Sequence, residues 1–299
     1  MSEKIIVNVA SYRRTDSLIK TLKSIIDQCD EINIALNDHY NQEIPEFLLN
    51  DKINIYFTDN SLGDAFKFLK LEKSDGYFFT IDDDLIYPSN YIEQTIKKCK
   101  EFNNTKVMTY HGRNFKSFPI TSYYKSASER YACLETVRHD IKVQFGGTGV
   151  MCFHTSLFKL PISYFKHPNM ADVWIGKYCL ENNIEIICLN HTAGYIKYTP
   201  QKTTIYNIES KSDGTQTQIV NSIFNKNESS SDIINKHQTH QNTKIQKTLE
   251  INKKTIDYQK VNRIFSNLQN NTQQKPQVNT NNLKLNSKQI STFNKKKFR

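Results

Sequence analysis

The sequence predicts an α/β fold whose first half is a parallel sheet with helices on both faces. Three observations favour it. Short β-branched or aromatic runs recur through the first hundred residues, helical patterns of about ten residues separate them, and the composition changes only near residue 225. Strands joined through helices pair in parallel, because each helix returns the chain to the same end of the sheet. A length of 299 residues allows one large domain plus an appendage.

The first half alternates strands and helices. Buried strands are predicted at residues 5–10, 32–36, 53–57 and 77–81, where β-branched and aromatic residues are concentrated. The pair Thr15-Asp16 predicts a helix start, because these residue types cap helices. A further helix is predicted to open at Gly63-Asp64, and another to run from Pro88 to about residue 102.

The middle of the chain predicts a mixture of shorter elements. Strands are expected at residues 107–110, 141–145 and 150–153, with a glycine turn at 146–149 between the last two. A helix at residues 171–182 and a strand at 184–189 are predicted to close the ordered part. We therefore assign residues 1–224 to one folded domain, with halves at 1–106 and 107–224.

The net charge of +10 is concentrated in the last quarter of the chain. Residues 1–225 hold 25 Lys and Arg against 26 Asp and Glu, a net of −1, whereas residues 226–299 hold 15 against 4, a net of +11. The tail at 225–299 is rich in Asn, Gln and Lys and is predicted to be disordered or partly helical, with weak helical periodicity at 249–268. A neutral folded part argues against nucleic-acid binding. The tail is instead a candidate for peripheral contact with anionic lipid.

Cysteine usage and hydropathy predict a cytoplasmic protein. The six cysteines are scattered and form no Cys-x-x-Cys pair, which favours free thiols over disulfides or a zinc site. The chain shows no signal peptide and no apolar stretch of the roughly 20 residues that a spanning helix needs. We expect a soluble protein, at most peripheral at the inner membrane face.

The acidic triplet Asp82-Asp83-Asp84 follows the predicted strand at 77–81. If the extended geometry continues, Asp82 and Asp84 point to the same side, within about 7 Å of each other. Carboxylates this close repel unless a cation lies between them, and a hard divalent ion would also take oxygens from a diphosphate. The triplet lies where open α/β sheets bind ligands. The alternative is that three aspartates solubilise a turn and cap the next helix.

With this triplet in place, residues 4–215 resemble the GT-A glycosyltransferases, in particular family 2. The resemblance implies that Asp84, with Asp82, holds Mn²⁺ or Mg²⁺, and that the half at 1–106 binds a nucleotide-sugar. It further implies donor-site roles for Ser11, Tyr12, Arg13, Asp38, Asp64, Lys67, Asp82 and Asp83. Arg14 would help to offset diphosphate charge. The sequence departs from the family at Ala10-Ser11-Tyr12-Arg13, where a Pro-Thr-Tyr-Asn-like turn is usual, and at Asn37-Asp38, where consecutive aspartates are usual.

The half at 107–224 resembles the acceptor side of these enzymes. Gly147 and Thr148 fall in a glycine loop that would let the backbone approach a sugar, although a purely structural turn is the alternative. Asp172 matches the position of the general base in inverting members, beside Trp174 as an acceptor platform; the alternatives are a helix cap and a core residue. His191 would be a further metal ligand, or a structural histidine. Lys197 and Lys202 fall in a segment resembling a flexible closing loop.

The sequence therefore predicts an inverting, metal-dependent transfer from a nucleotide-diphosphate sugar, UDP-sugars being favoured. The acceptor implied by the resemblance is a saccharide or glycolipid of lipopolysaccharide or capsule. One alternative is a sugar nucleotidyltransferase, which expects a Gly-rich, Arg- and Lys-bearing loop after the first strand. Another is a non-catalytic carbohydrate- or nucleic-acid-binding protein that uses the basic tail. A dinucleotide oxidoreductase is disfavoured, because Gly-x-Gly-x-x-Gly does not follow the first strand.

Overall fold

A computed structural model describes residues 3–39, 43–201 and 212–224. These residues belong to a compact unit at Met1–Ser230, and a second unit comprises Ser231–Arg299. The predictions made for the tail at 225–299, including its helical periodicity at 249–268, lie outside the described residues.

The described elements begin with strands and helices in alternation. Their bounds in chain order are β1 (Ile5–Tyr12), α1 (Thr15–Ile25), β2 (Glu31–Asn37), β3 (Ile53–Thr58), β4 (Tyr77–Ile81), β5 (Leu85–Ile86), α2 (Tyr91–Glu101), β6 (Val107–Thr109), β7 (Gly112–Asn114), β8 (Glu129–Tyr131), β9 (Ile141–Val143), β10 (Phe145–Gly146), β11 (Val150–His154), α3 (Ala171–Glu181), β12 (Ile186–Cys188), β13 (Lys197–Tyr198) and α4 (Gly214–Phe224).

The main sheet has eight strands in the order β3-β2-β1-β4-β11-β6-β12-β9. Strands β3, β2, β1 and β4 run parallel to one another, as the helical crossovers require. Strand β11 is inserted antiparallel between β4 and β6. The predicted fold class is confirmed: a mixed α/β sheet with a Rossmann-like parallel half.

Alternating side chains divide the core between the two faces of this sheet. Phe79 of β4 belongs to one apolar cluster together with Leu18 and Leu22 of α1. Phe78, its neighbour, belongs to a second cluster with Phe68 and with Val173 of α3. Successive strand residues point to opposite faces, so a strand buried on both sides reads as a continuous apolar run. This is why the strand at 77–81 was recognisable from sequence.

A row of asparagines crosses three of the parallel strands in register. Asn8 of β1 lies opposite Asn33 of β2, which lies opposite Asn54 of β3. The Asn33 amide donates to Oδ1 of Asn8 over 3.1 Å, and the Asn54 amide donates to Oδ1 of Asn33 over 3.3 Å. Asn8 in turn donates to the carbonyl of Phe79 over 3.0 Å. The buried amides are thus paired with one another and with β4.

Several elements differ from the sequence predictions, and the short strands β5, β7, β8 and β13 were not predicted. The segment Gly63–Phe68 is a 3-10 helix. The single strand predicted at 141–145 is two strands in different sheets, because the Gln144 amide donates to Oδ1 of Asn114 and turns the chain. The ordered part does not close at residue 189, since α4 follows. Its Thr217 and Asn221 bond to the main chain at Tyr123 and Ile120.

In the part of the chain that the structure describes, no helix is long and apolar enough to cross a membrane.

Candidate functional site

The carboxyl ends of the parallel strands meet at one edge of the sheet. Tyr12, the last residue of β1, is in register with Asn37, the last residue of β2. Ile81 ends β4 beside Val9, so the acidic triplet follows at the same edge. The loops after all three strands therefore converge here.

Two basic side chains hold the acidic triplet. The guanidinium of Arg14 lies 2.6 Å from Oδ1 of Asp83 and 3.1 Å from Oδ2 of Asp84. The ammonium of Lys67, a side chain only 2% exposed, lies 2.5 Å from Oδ1 of Asp82. Asp83 is buried, whereas the Asp82 side chain is 45% exposed. The outermost carboxylate of the triplet is thus Asp82.

Asp83 and Asp84 retain protons more strongly than isolated aspartates. Burial raises the pKa of Asp83 to about 6, against the lowering effect of Arg14 and of the Ser11 hydroxyl. Burial raises the pKa of Asp84 to about 7, and the neighbouring charges of Asp82 and Asp83 raise it further. Two basic residues therefore do not fully offset three carboxylates at this edge, and an added cation would be attracted.

The residues present fit a divalent cation bound jointly with a phosphate ligand. Among the described residues, no three His, Cys, Asp or Glu side chains converge into a metal site made of protein alone. Mg²⁺ in nucleotide sites is commonly bound through one or two carboxylates plus phosphate oxygens and water. Lys67 contacts Oδ1 of Asp82 and Arg14 contacts Oδ2 of Asp84, so an ion bound here would share these carboxylates with the two basic residues.

The last residue of β1 and the loop after it place the Tyr12 ring and the Arg13 guanidinium at the sheet edge. Ser11 is buried beside Asp83, whereas Tyr12 is 42% exposed. Arg13 and Asp38 both adopt left-handed backbone conformations, with φ of 56° and 55°. Their side chains lie 4.0 Å apart, and the Arg13 amide donates to Nε2 of His39 over 2.7 Å. Strained non-glycine residues of this kind concentrate at ligand sites.

The 3-10 helix at Gly63–Phe68 connects the triplet to α3. The amide of Ala171, the first residue of α3, donates to Oδ1 of Asp64 over 3.4 Å. Burial raises the pKa of Asp64 to about 7, with Lys67 lowering it and Asp172 raising it. Gly63 has φ of +55°, and a Cβ there would lie 2.1 Å from Oδ1 of Asn169. Asp64 thus lies between Lys67, which pairs with Asp82, and the start of α3.

Asp172 is held by two hydrogen bonds. Its Oδ2 accepts a hydrogen bond of 2.6 Å from the hydroxyl of Tyr123, which is buried, and its Oδ1 accepts the amide of Val173. The Arg113 guanidinium lies 4.3 Å from the centre of the Tyr123 ring. Trp174 is 7% exposed, and its indole N–H has no hydrogen-bond partner among the described residues.

The glycine loop at 146–149 lies between Asp82 and His111. A Cβ at Gly149 would lie 1.9 Å from Oδ2 of Asp82, and a Cβ at Gly147 would lie 2.9 Å from Cβ of His111. Thr148 between them is buried. The Tyr87 hydroxyl, in turn, donates to the Gly149 carbonyl over 2.6 Å and accepts the Asp82 amide over 3.0 Å.

His191 is engaged by the main chain. Its Nδ1 lies 2.8 Å from the carbonyl of Leu189, and its Nε2 lies 3.3 Å from that of Ala132. Metal ligation by His191 stays a prediction that would require one of these contacts to open. Lys197 lies in β13, which pairs antiparallel with β5 directly after the triplet. Lys202 lies outside the described residues.

Four residues of this site were not singled out from the sequence. They are His39, Tyr87, His111 and Tyr123. Tyr87 lies in a recognisable context, the Leu-Ile-Tyr-Pro turn after the triplet. His111 follows a predicted strand, which was a usable signal. Nothing local in the sequence pairs Tyr123 with Asp172, 49 residues further along.

Fold and site together define an α/β protein with a Rossmann-like parallel half and a partly exposed, acidic sheet edge. No family model matches the chain, and no curated protein matches it. Solved structures do match, among them 4-diphosphocytidyl-2C-methyl-D-erythritol synthase from Anaerococcus prevotii DSM 20548. That match has 13% identity and a TM-score of 0.32, and it covers 52% of this chain and 71% of that chain. Because this likeness is too low to support an argument, functional inference depends on the side chains.

Proposed function

We propose that the protein is a metal-dependent glycosyltransferase that moves a sugar from a nucleotide-diphosphate sugar to a hydroxyl of a saccharide or glycolipid. The observation that supports this most strongly is the arrangement of Asp82, Asp83 and Asp84. The triplet stands at the end of a parallel strand, its charge is incompletely offset by Arg14 and Lys67, and its most exposed side chain is Asp82, at 45%.

The residues around the triplet supply contacts for each part of such a donor. The exposed Tyr12 ring offers a surface for a base, and Asp38 offers an acceptor for base or ribose groups. Arg14 and Lys67 can exchange their carboxylate partners for diphosphate oxygens when these enter. A divalent ion at Asp82 and Asp84 would stabilise the negative charge that develops on the leaving diphosphate.

Asp172 is the proposed general base. The acceptor oxygen forms a bond to the anomeric carbon of the sugar as the bond from that carbon to the diphosphate oxygen breaks. The hydroxyl proton passes to the Asp172 carboxylate, and the attack inverts the anomeric configuration. Tyr123 and Val173 each donate one hydrogen bond to the Asp172 carboxylate and so fix its position. The remaining lone pairs of this carboxylate are available to accept the proton of the acceptor hydroxyl.

A sugar nucleotidyltransferase is the second candidate. It would join a nucleoside triphosphate to a sugar phosphate and release pyrophosphate at the same acidic edge. The observation in its favour is that two arginines, Arg13 and Arg14, directly follow β1 and that Arg14 reaches the triplet. The Gly-rich part of the loop that this class is expected to have is missing from the sequence.

Thermal unfolding of the full chain distinguishes these candidates. UDP-, GDP- and CMP-sugars, and separately CTP and UTP with a sugar 1-phosphate, would be added with Mn²⁺ or with EDTA. We expect one nucleotide-sugar to raise the melting temperature only with Mn²⁺. Asp84→Ala should lose that increment, whereas Asp75→Ala, which removes an exposed aspartate paired with Lys159, should keep it.

The contradicting outcomes are distinct. Stabilisation by a triphosphate, with pyrophosphate release on adding a sugar phosphate, would favour the nucleotidyltransferase. Stabilisation by none of these ligands would refute both enzyme candidates and leave a non-catalytic binding protein.

A further inference from the structure

His111 lies at the same sheet edge as the acidic triplet, on the far side of the glycine loop. It lies two residues after the end of β6, and its carbonyl accepts the Gly147 amide over 2.8 Å and the Thr109 hydroxyl over 3.0 Å. The same short loop touches Asp82 at Gly149. The loop therefore lies against an imidazole at one end and a carboxylate at the other.

Gly147 makes room for the imidazole. A Cβ at this position would lie 2.9, 3.1 and 3.2 Å from Cβ, Cγ and Cδ2 of His111. These distances are closer than nearly all real Cβ contacts. The ring is thus packed against bare backbone, which fixes its position without using its nitrogens.

Neither ring nitrogen of His111 takes part in a hydrogen bond within the part of the chain that the structure describes. Other histidines at this edge differ: Nε2 of His39 accepts the Arg13 amide, and both nitrogens of His191 lie near carbonyls. His111 is partly exposed. A partly buried imidazole with two unused nitrogens is a recognition group for a ligand.

Burial keeps His111 neutral. Burial first, and then the nearby Arg113, Arg130 and His191, lower its pKa to about 4, with Asp82 acting in the opposite direction. At neutral pH the ring therefore offers one N–H donor and one nitrogen acceptor. A sugar hydroxyl, which both donates and accepts, matches this pair of groups.

We infer that His111 binds a hydroxyl of the transferred sugar, so that the sugar ring lies over the glycine loop between Asp82 and His111. This inference rests on the proposed function and deepens it. His111 is a specificity residue in this account, since it would distinguish donors by the presence of a ring hydroxyl at one position.

Binding measurements on the full chain test the inference with UDP, UDP-glucose, UDP-galactose, UDP-N-acetylglucosamine and GDP-mannose as probes, in the presence of Mn²⁺. His111→Phe removes both hydrogen-bonding groups. It should leave the affinity for the free nucleotide diphosphate within about 2-fold and weaken binding of the preferred nucleotide-sugar about 3- to 10-fold, the range for one neutral hydrogen bond. His111→Gln keeps a donor and an acceptor and should stay within about 3-fold of the wild type.

Two results would overturn the inference while sparing the proposed function. One is a nucleotide-sugar that binds His111→Phe as well as it binds the wild type. The other is an equal loss of affinity for free UDP and for the UDP-sugar, which would indicate that the imidazole only packs the loop. Failure of the wild type to bind any nucleotide would instead overturn the proposed function, and this inference with it.

A deoxy donor provides an independent measurement. Among single-position deoxy analogues of the preferred UDP-sugar, one should bind the wild type about 3- to 10-fold more weakly than the parent. His111→Phe should not weaken the binding of this analogue further, because the hydrogen bond to His111 is already absent. Additive losses for every analogue would contradict a direct contact.

Discussion

Adding one methyl group at Gly149 tests whether the position of the Asp82 carboxylate matters for transfer. In Gly149→Ala the new Cβ would lie 1.9 Å from Oδ2 and 2.3 Å from Cγ of Asp82. Ordinary contact begins at 3.4 Å, so the carboxylate must move by 3.4 − 1.9 = 1.5 Å or more. Because the Asp82 side chain is 45% exposed, it can rotate into solvent, and the fold should be retained.

The expected effect is on turnover. A misplacement of about 1 Å in a catalytic arrangement lowers rates by about 100-fold, equivalent to about 2.7 kcal/mol of activation free energy. The assay is release of the nucleoside diphosphate from the nucleotide-sugar that best stabilises the wild type, with the melting temperature measured in parallel. Gly214→Ala is the matched control, because nothing lies within 4 Å of a Cβ at that position.

A folded Gly149→Ala protein with turnover within about 3-fold of the wild type would refute the reasoning. The observed place of Asp82 between Lys67 and the glycine loop would then have no part in the reaction. An equal loss in Gly214→Ala would show that the assay reports general damage.

Three further predictions follow from other contacts. Asp172→Asn should lower turnover by about 10² to 10⁴-fold without changing donor affinity, and Tyr123→Phe should lower it less, both measured by nucleotide release and donor titration. Without metal, unfolding free energy should fall as pH rises from about 4 to 6: the folded-state pKa of Asp83 is raised from 3.8 to about 6, so the folded protein binds its proton more tightly. The raised pKa of Asp83 corresponds to about 3 kcal/mol. Asp83→Asn should therefore reduce the difference between urea titrations at pH 4 and 8, while Asp84 and Asp64, whose pKa values are also raised, should keep their part of it. Asn221→Ala leaves the N–H and carbonyl of Ile120 without their 2.7 and 2.9 Å partners and should destabilise the fold by about 1–3 kcal/mol in urea unfolding.

The parallel half of the fold could be predicted because its signals are local. Strand β4 is buried on both faces and contains Phe78 and Phe79 in succession, so its bounds were predicted to the residue. The triplet follows it directly, and the shared sheet edge follows from strand direction. The placement of Asp82 and Asp84 on one side assumed that the extended geometry continues, whereas residues 83–84 form a turn, so their joint binding of an ion stays a prediction.

The other half depends on contacts between distant residues, which composition does not indicate. The helix α4 has a sequence rich in Thr, Gln and Asn and is held by Asn221 and Thr217 against residues about 95 to 100 positions earlier. Tyr123 bonds to Asp172 and is packed under Arg113. Each of these side chains has an ordinary local sequence, so neither helix α4 nor the Tyr123 contact could be predicted before the fold was known.

The row formed by Asn8, Asn33 and Asn54 bears on how the sheet finds its alignment. Parallel neighbours lack a tight turn to set their offset, so some other interaction must select it. A slip of one position would point the three amides to the opposite face, toward Val7 and Val9, where the two buried ones would lose their partners. Misaligned pairings therefore cost free energy during folding. In the aligned sheet, β1 and β2 end in register at Tyr12 and Asn37. The asparagine row, which lies further back along the strands, thus sets the geometry of the edge at which they end.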